Sequence, residues 1–432
     1  MRVRPHRGHK TEVAVDAPRR DDAAVQVFAT VVFVCVYAGL AAGRVPGLRL
    51  DRSGIALFGA IALLAAGALD MERAWAAIDA GTLALLFGLM VVSAQLHQSG
   101  FYGAVTQRLA TARVGPRGLL ALLVIVAGGL SAVLQNDIVC LAMPPLLLDV
   151  CTRRRLDPIP FLLALAAAAN VGSAATLIGN PQNVLVGQRL GLSFGGYLLF
   201  ALPSVAVGLL ACWALACWRW RGRFELATDR VPDLPPRFDS GQVGKGLAVL
   251  AALVLVLLFS PMPRDAAALA AAGILLLSRS MSSRALIAAV DGQLLLLFIG
   301  LFVVHAAFET TGLPERALAQ LAEHGIRLGD TPWFFGATLL LSNLVSNVPA
   351  VMLLLPVADG AADGYLLALV STFAGNLLLV GSIANLIVVA EAERLGVHPR
   401  GRSWFLEHVR YGLPVTVVTM LAAAVSCAVI AP

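Results

Sequence analysis

Two short polar stretches interrupt otherwise apolar sequence and contain the side chains best suited to bind a ligand. They are LSAVLQND (residues 130–137) and GSAATLIGNPQN (residues 172–183). Hydrocarbon has no water to satisfy free backbone groups, so such interruptions occur where they line a cavity or contact a ligand. The sequence therefore predicts a binding site built from amide, hydroxyl and carboxylate groups: Gln135, Asn136, Asp137, Thr176, Asn180 and Asn183.

The second half of the chain repeats the first. Residues 79–100 align without gaps on residues 291–312, and nine of the 22 positions are identical, including one aspartate and two glycines. Nearly the same offset pairs LSAVLQND with LSNLVSNV (341–348), and a shorter one pairs GNPQN with GSIAN (381–385). Both polar stretches therefore recur, and the second copies add four candidate ligand-binding residues: Ser346, Asn347, Ser382 and Asn385.

These side chains define a site better than they define a ligand, because amides and hydroxyls serve an oxyanion and a sodium ion equally well. The N-termini of half-helices favour an anion, and their C-termini favour a cation. Asp137 is the only acid that we place at mid-depth, where a carboxylate usually carries a proton or binds a cation. Its alternative role is to cap the helix that follows. His305 and Glu309, four residues apart, suggest a second proton relay nearer the aqueous end.

The composition is that of a polytopic membrane protein. Of 432 residues, 59% are hydrophobic and 13% charged, and the mean hydropathy is +0.82. Thirty of the 32 basic residues are arginines spread over short loops, which indicates membrane orientation rather than nucleic-acid binding. The six cysteines lack metal or disulfide spacing. We expect residues 1–23 to be a disordered tail and not a signal peptide.

The apolar segments predict an all-α fold with two repeats, residues 24–217 and 243–432, joined by a cytoplasmic linker over residues 218–242. In the first repeat we expect a re-entrant hairpin at 118–150, with arms of about 17 and 13 residues, and a broken helix at 159–190. The second repeat places its hairpin at 331–359 and its broken helix at 364–394. Each repeat crosses the membrane five times, an odd number, so the two repeats must have inverted topology.

Arginine counts predict the orientation. With both termini outside, the cytoplasmic loops hold 20 basic residues and the opposite loops five. The six basic residues of the N-terminal tail favour the opposite orientation, with the N-terminus in the cytoplasm. Because the loop evidence is distributed along the whole chain, we expect an inner-membrane protein with its N- and C-termini outside.

At these residues the sequence resembles the ion transporter superfamily. Within that superfamily it resembles the branch of arsenite permeases and citrate-transporter-like anion permeases. GSAATLIGNPQN is similar to the family's first broken-helix loop, and LSNLVSNVPAVMLLLPV and AGNLLLVGSIANLIVVAEAERLG resemble its second hairpin and second broken helix. The resemblance implies an elevator-type secondary transporter, often a homodimer, whose moving domain carries both hairpins and both broken helices.

The resemblance also bears on the substrate. Related divalent anion/sodium symporters carry Ser-Asn-Thr at both hairpin tips, whereas this chain has Gln135-Asn136-Asp137 and Ser346-Asn347-Val348. The Asn-Asp pair resembles arsenite permeases and favours proton coupling through Asp137, with a small inorganic anion, arsenite-type species or carboxylate as substrate. We expect no metal and no cofactor beyond a coupling H⁺ or Na⁺. Alternatives are a sodium/proton antiporter, a passive channel and, without a histidine cluster to support it, a membrane-embedded enzyme.

Overall fold

A computed structural model describes residues 20–43, 47–222, 224, 238–278, 280–399 and 401–430. Within these ranges the chain forms 20 α-helices and two 3-10 turns, with no strand, so the predicted all-α class is confirmed. The predicted tail (1–23) lies outside the described residues except for its last four residues, which begin the first helix. Most of the predicted linker (218–242) also lies outside them.

The first half of the chain contains ten helices. Their bounds are α1 Arg20–Ala42, α2 Arg52–Ala65, α3 Met71–Ala77, α4 Ala80–Gln98, α5 Phe101–Thr111, α6 Pro116–Val133, α7 Asn136–Arg153, α8 Pro158–Ser173, α9 Pro181–Arg189 and α10 Phe194–Arg219. The helices α6 and α7 occupy the region of the predicted hairpin, and α8 and α9 that of the predicted broken helix.

The second half contains ten helices in the corresponding order. Their bounds are α11 Ser240–Phe259, α12 Arg264–Leu276, α13 Ser283–Ala288, α14 Gly292–Glu309, α15 Leu313–Glu323, α16 Thr331–Val345, α17 Asn347–Leu354, α18 Gly360–Ala374, α19 Ile383–Arg394 and α20 Trp404–Ile430. Each helix has a counterpart ten places earlier. That one half is inverted across the membrane relative to the other stays a prediction.

Seven helices in the described part of the chain are long and apolar enough to cross a membrane: α1, α4, α6, α10, α11, α14 and α20. Together they make the chain a multi-pass membrane protein. Aspartates begin several helices. The carboxylates of Asp79 and Asp291 accept from the backbone N–H groups of Thr82 and Leu294 at 2.9 and 3.0 Å.

The second arm of the first hairpin is longer than predicted. Helix α7 has 18 residues instead of about 13, because it includes Asn136 and Asp137 at its start and continues for three residues past the apolar segment. An ion pair between Asp149 and Arg153, at 2.9 Å and one helical turn apart, supports this last turn. The two arms therefore have equal length.

Helices of one half pack on helices of the other. Helix α4 lies against α12, and α14 lies against α2. A Cβ atom on Gly88 would lie 2.5 Å from backbone atoms of Ala268, and a Cβ atom on Gly300 would lie 2.7 Å from the backbone carbon of Ala56. Both glycines therefore let two backbones approach closely.

Contacts between loops join segments that the arginine distribution assigns to the same side of the membrane. The Arg154 guanidinium donates to the backbone carbonyl of Val114 at 3.1 Å, and both residues belong to predicted cytoplasmic loops. On the predicted opposite side, Arg189 pairs with Asp79 at 3.0 Å. The absolute orientation of the termini stays a prediction.

Candidate functional site

Two helices are interrupted midway. The first break (residues 174–180) separates α8 from α9, and the second break (residues 375–382) separates α18 from α19. The first break ends at Asn180, whose backbone is extended and whose side-chain oxygen accepts from the N–H of Asn183 at 2.9 Å. Pro181 follows in the first turn, where a missing N–H removes no helical hydrogen bond. Local sequence therefore fixes where α9 begins.

The first hairpin tip (residues 134–137) is attached to the first break by backbone groups. The N–H of Asn136 donates to the carbonyl of Gly179 at 3.1 Å. In addition, the Thr176 hydroxyl donates to the carbonyl of Ala132 at the end of α6. Tip and break thus form one continuous unit.

The second hairpin tip (residues 345–348) turns sharply at Ser346, whose φ is +76°, a region that a non-glycine residue rarely adopts. Next to it, the hydrogen-bond network orients the Asn347 amide so that its nitrogen donates to the carbonyls of Ser371 and Gly381 at 3.0 and 3.1 Å. Its oxygen then accepts from Gln182 at 3.3 Å. Side chains, rather than backbone groups, hold this tip in place.

Asn170, on α8, connects the first tip to the second break. Its side-chain oxygen accepts from the Asn136 amide at 3.2 Å and from the Ser382 hydroxyl at 2.9 Å. Its side-chain nitrogen donates to the side-chain oxygens of Asn376 and Asn385, both at 3.0 Å. Asn170 is 1% exposed, so these bonds replace water and fix four side chains at once.

Thr372, on α18, has the corresponding role on the other side. Its hydroxyl accepts from the amides of Asn180 and Gln182 at 3.1 and 3.3 Å, and it lies 3.1 Å from the side-chain oxygen of Asn183. Thr372 follows Asn170 by 202 residues, the same offset that pairs GNPQN with GSIAN. Equivalent positions of the two halves therefore make equivalent contacts.

The two tips and two breaks enclose one small cavity, the central cavity, of about 20 Å³. Its lining comes from the first residues of four half-helices, α7, α9, α17 and α19, and from Leu294 of α14: Asn136, Asp137, Pro181, Gln182, Leu294, Ser346, Asn347, Val348, Ser382 and Ile383. This volume holds about one water-sized occupant in the present conformation.

Helix N-termini carry free N–H groups and partial positive charge. Four of them meet at this cavity, which makes it a suitable anion site without a buried arginine. Two buried polar atoms of the first tip, Gln135 Nε2 and Asn136 Oδ1, have no hydrogen-bond partner in the described part of the chain. Asp137 adds the one carboxylate in the lining. The cavity thus combines donors for an anion with an acid that can hold a proton or a cation.

The structure divides the ten predicted site residues into two groups. Five line the central cavity: Asn136, Asp137, Ser346, Asn347 and Ser382. The other five are buried behind it, where Asn180, Asn183 and Asn385 belong to the hydrogen-bond network, Thr176 joins the first break to α6, and Gln135 lies at the tip. Eight of the ten residues therefore lie at the tips and breaks, and Asn183 and Asn385 lie in the first turns of α9 and α19.

Several polar residues of this region were missed, among them Asn376 of the second break, which accepts from Asn170. Gln182 lines the cavity and belongs to the GNPQN motif, so the motif itself was a signal for it. Asn170 and Thr372 lie inside apolar helices, and their only signal was the presence of a polar residue in a run such as AAAAN. No group of three or more His, Cys, Asp or Glu side chains that could hold a metal occurs among the described residues.

Two larger cavities lie at the two ends of α14. The entrance cavity, about 440 Å³, includes Arg52 and Asp291 and shares Leu294 and Ile383 with the central cavity. The distal cavity, about 430 Å³, shares no lining residue with it. His305 and Glu309, whose Nε2 and Oε1 atoms are 3.4 Å apart, line the distal cavity. The suggested relay pair is therefore in contact but does not line the central cavity.

Comparison with curated proteins finds relatives over nearly the whole chain. A transporter of Mycobacterium tuberculosis (strain ATCC 25618 / H37Rv) is 30% identical over 93% of this chain and 97% of its own length. The silicon efflux transporter LSI3 of Oryza sativa subsp. japonica is 29% identical over 87% of this chain and 92% of its own. The inner membrane protein YbiR of Escherichia coli (strain K12) is 30% identical, with coverages of 79% and 86%.

Among solved structures, the YdaH transporter of Alcanivorax borkumensis superposes with a TM-score of 0.59 at 16% identity, over 95% of this chain and 98% of that one. This likeness concerns the fold alone. The model of the citrate transporter family matches residues 37–374, most of the chain. The relatives and the family are transporters, which sets aside the membrane-enzyme alternative. The chain thus belongs to the citrate transporter family, within the superfamily of anion permeases that its polar stretches resemble.

Proposed function

We propose that this protein is a secondary active transporter that moves a small anion across the membrane together with a proton. The observation that carries the proposal is the meeting of four half-helix N-termini, those of α7, α9, α17 and α19, at one cavity that also contains Asp137. Aligned backbone dipoles attract an anion there, and the paired breaks suit a site reached from alternate sides.

Asp137 is the proposed proton carrier. Its carboxylate lies in the first turn of α7, on the wall of the cavity that would hold the anion. A charged Asp137 and a bound anion repel each other across a few ångströms of poorly solvated space. Anion binding and protonation of Asp137 therefore favour each other, which couples the two fluxes.

The substrate class follows from the chemistry of the cavity together with the names of relatives. The cavity holds about one water-sized occupant in this conformation, so the chemistry of its lining, amides, hydroxyls and helix N-termini, supports an oxyanion or oxyacid more than its volume does. Relatives are named as a silicon efflux transporter and as a putative arsB transporter, and the family is named for citrate. We propose an inorganic oxyanion, an arsenite-type species or a small carboxylate, moved by an elevator-type displacement of the hairpins and broken helices in a homodimer.

The test uses the purified full-length chain in proteoliposomes. Uptake of phosphate, sulfate, citrate and arsenite is measured with and without an imposed pH gradient, for the wild type and for Asp137→Asn. We expect the wild type to accumulate at least one probe when a proton gradient is present. The variant, which keeps the size of the side chain but cannot change its charge, should show uptake of that probe that no longer responds to the pH gradient. If Asp137→Asn retained both the transport rate and its pH dependence, the coupling role of Asp137 would be wrong.

A sodium/proton antiporter is the second candidate. Asp137 and the unpartnered Asn136 Oδ1 both lie at a cavity sized for a single ion, and carboxylate and amide oxygens are good ligands for a hard cation. In vesicles without any added anion, sodium-stimulated proton movement would favour the antiporter. Proton movement that requires an anion favours the transporter proposed above.

A further inference from the structure

Arg52 brings a positive charge to the edge of the central cavity from outside the hairpins and broken helices. It begins α2, a helix that packs on α14. Its guanidinium donates to the hydroxyl of Ser346 at 3.4 Å and to the carbonyl of Val380 at 3.3 Å. Ser346 lines the central cavity, so Arg52 lies directly behind its wall.

Most of the hydrogen-bonding capacity of Arg52 is unused. Guanidinium has five N–H donors, and the two bonds above are near the upper limit of hydrogen-bond length. None of the ion pairs in the described ranges includes Arg52. Asp51 and Asp291 line the same entrance cavity, but each carboxylate caps its own helix by accepting a backbone N–H, from Gly54 and Leu294 at 2.8 and 3.0 Å. Arg52 thus retains donors for an incoming oxyanion.

Of the two larger cavities, the entrance cavity is the one lined by Arg52. It shares Leu294 and Ile383 with the central cavity, whereas the distal cavity at the other end of α14 shares no lining residue with it. In this conformation, a solute that reaches the four helix N-termini through the entrance cavity therefore passes the guanidinium.

We propose that Arg52 is a substrate-selecting residue, which binds a charged oxyanion in the entrance cavity before the anion reaches the central cavity. The proposal rests on the anion transport proposed above and adds a specific recognition group to it. A planar guanidinium binds two oxygens of one oxyanion at once. An uncharged oxyacid gains little from the same contact, so Arg52 discriminates by charge.

The equivalent position in the second half makes a different contact. Arg264 follows Arg52 by 212 residues and likewise begins its helix, α12. Its guanidinium donates to the carbonyl of Gly187, in the last turn of α9, at 2.8 Å. It also donates to the carbonyl of Leu192, which lies after the end of α9. Neither residue lines the central cavity. In this conformation, selection by a guanidinium is therefore confined to the entrance side.

The experiment compares charged and neutral probes in proteoliposomes. Initial rates are measured for sulfate, phosphate and citrate and for arsenous acid at neutral pH, with the wild type, Arg52→Gln, Arg52→Lys and the control Arg73→Gln. Arg73 is exposed, and its ion-pair partner among the described residues is the neighbouring Asp70, at 3.4 Å. We expect Arg52→Gln to raise the KM of the transported anion by about tenfold or more. Arg52→Lys, which lacks the planar fork, should raise it less, and arsenous acid and the control should change by no more than about twofold.

The outcomes separate the two proposals. If Arg52→Gln raised the KM of charged and neutral probes equally, or left the charged probe unchanged, Arg52 would not be the selecting residue, while anion transport would stand. A wild type that carries no charged probe overturns the proposed function and the role of Arg52 together. If Arg52→Gln does not fold, the test uses Arg52→Lys, which keeps the positive charge. An unchanged KM for the anion in Arg52→Lys would overturn the proposed recognition of the anion by a planar guanidinium.

Discussion

The two hairpins have the same sequence pattern but are attached differently. The first tip is attached to its break by a backbone hydrogen bond from the N–H of Asn136 to the carbonyl of Gly179. In the same hairpin, α6 lies so close to α8 that a Cβ on Gly172 would be 2.2 Å from the carbonyl oxygen of Gly128. The second tip depends on side-chain bonds and on the strained Ser346. From this difference we expect the first hairpin to stay attached to its broken helix more rigidly than the second hairpin does to its own.

The two tips also differ in charge. Position 137 is an aspartate, and the equivalent position of the second tip, 211 residues later, is Val348. Both residues line the central cavity. The two repeats thus contribute one carboxylate to the central cavity, from the first tip. For this reason the proposed coupling of one proton to transport depends on the first tip and not on both.

The largest effect is expected where the first hairpin meets its broken helix. Gly172→Val places a branched side chain where even a Cβ overlaps the backbone of Gly128, so α6 and α8 must separate. Because the contacting atoms belong to the backbone and not to a flexible side chain, this overpacking should lower the free energy of unfolding by about 3 kcal/mol or more. We expect little folded protein, measured as the monodisperse fraction after detergent extraction and as the thermal unfolding midpoint.

The control is Gly129→Val. Gly129 is the neighbour of Gly128 on α6, and no atom lies within 4 Å of the Cβ that a substitution would add. This variant should express and unfold like the wild type, since it changes the same residue type in the same membrane environment. If Gly172→Val behaved like Gly129→Val, the rigid attachment of the first hairpin would be wrong.

Much of the fold was predictable from the sequence because membrane burial leaves strong local signals. A run of apolar residues predicts a span, a proline such as Pro181 after a polar residue predicts where a half-helix begins, and a repeated Gly88 and Gly300 predict close crossings. The structure brings residues of the four polar stretches to one cavity. Helix ends were less predictable, as the extra turn of α7 shows, since ion pairs can extend a helix into polar sequence.

The supporting network was not predictable. Asn170 is one polar residue among alanines, and nothing local indicates that four partners from three other segments surround it. Arg52 was counted only as a loop arginine that sets orientation, because the sequence does not show that α2 starts beside the second tip. Both roles arise from packing between distant segments of the chain, which periodicity and spacing do not encode.

The next largest effect is expected at Asn170 and Thr372, the equivalent residues of the two halves that organise the hydrogen-bond network. Asn170→Ala removes a side chain with four partners and leaves buried amides unsatisfied, which should cost about 3 kcal/mol. Thr372→Val keeps the shape and removes one hydroxyl, and Asn180 retains its bond to Ser173, so we expect about 1 kcal/mol. Thermal unfolding of both variants with and without the transported anion measures the difference. Equal losses would contradict the greater dependence on Asn170.

The smallest effect tests the strain at the second tip. Ser346→Gly replaces a residue at φ +76° with the one that adopts this region without cost, which should stabilise the free protein by about 1 kcal/mol. The equivalent residue of the first tip is Gln135, whose φ is −57°, so Gln135→Gly gains nothing and should destabilise slightly. Opposite shifts of the unfolding midpoint would confirm that strain is confined to the second tip. Ser346→Gly also removes the hydroxyl that accepts from Arg52 and lines the central cavity, so the unfolding midpoint, and not the transport rate, measures the strain.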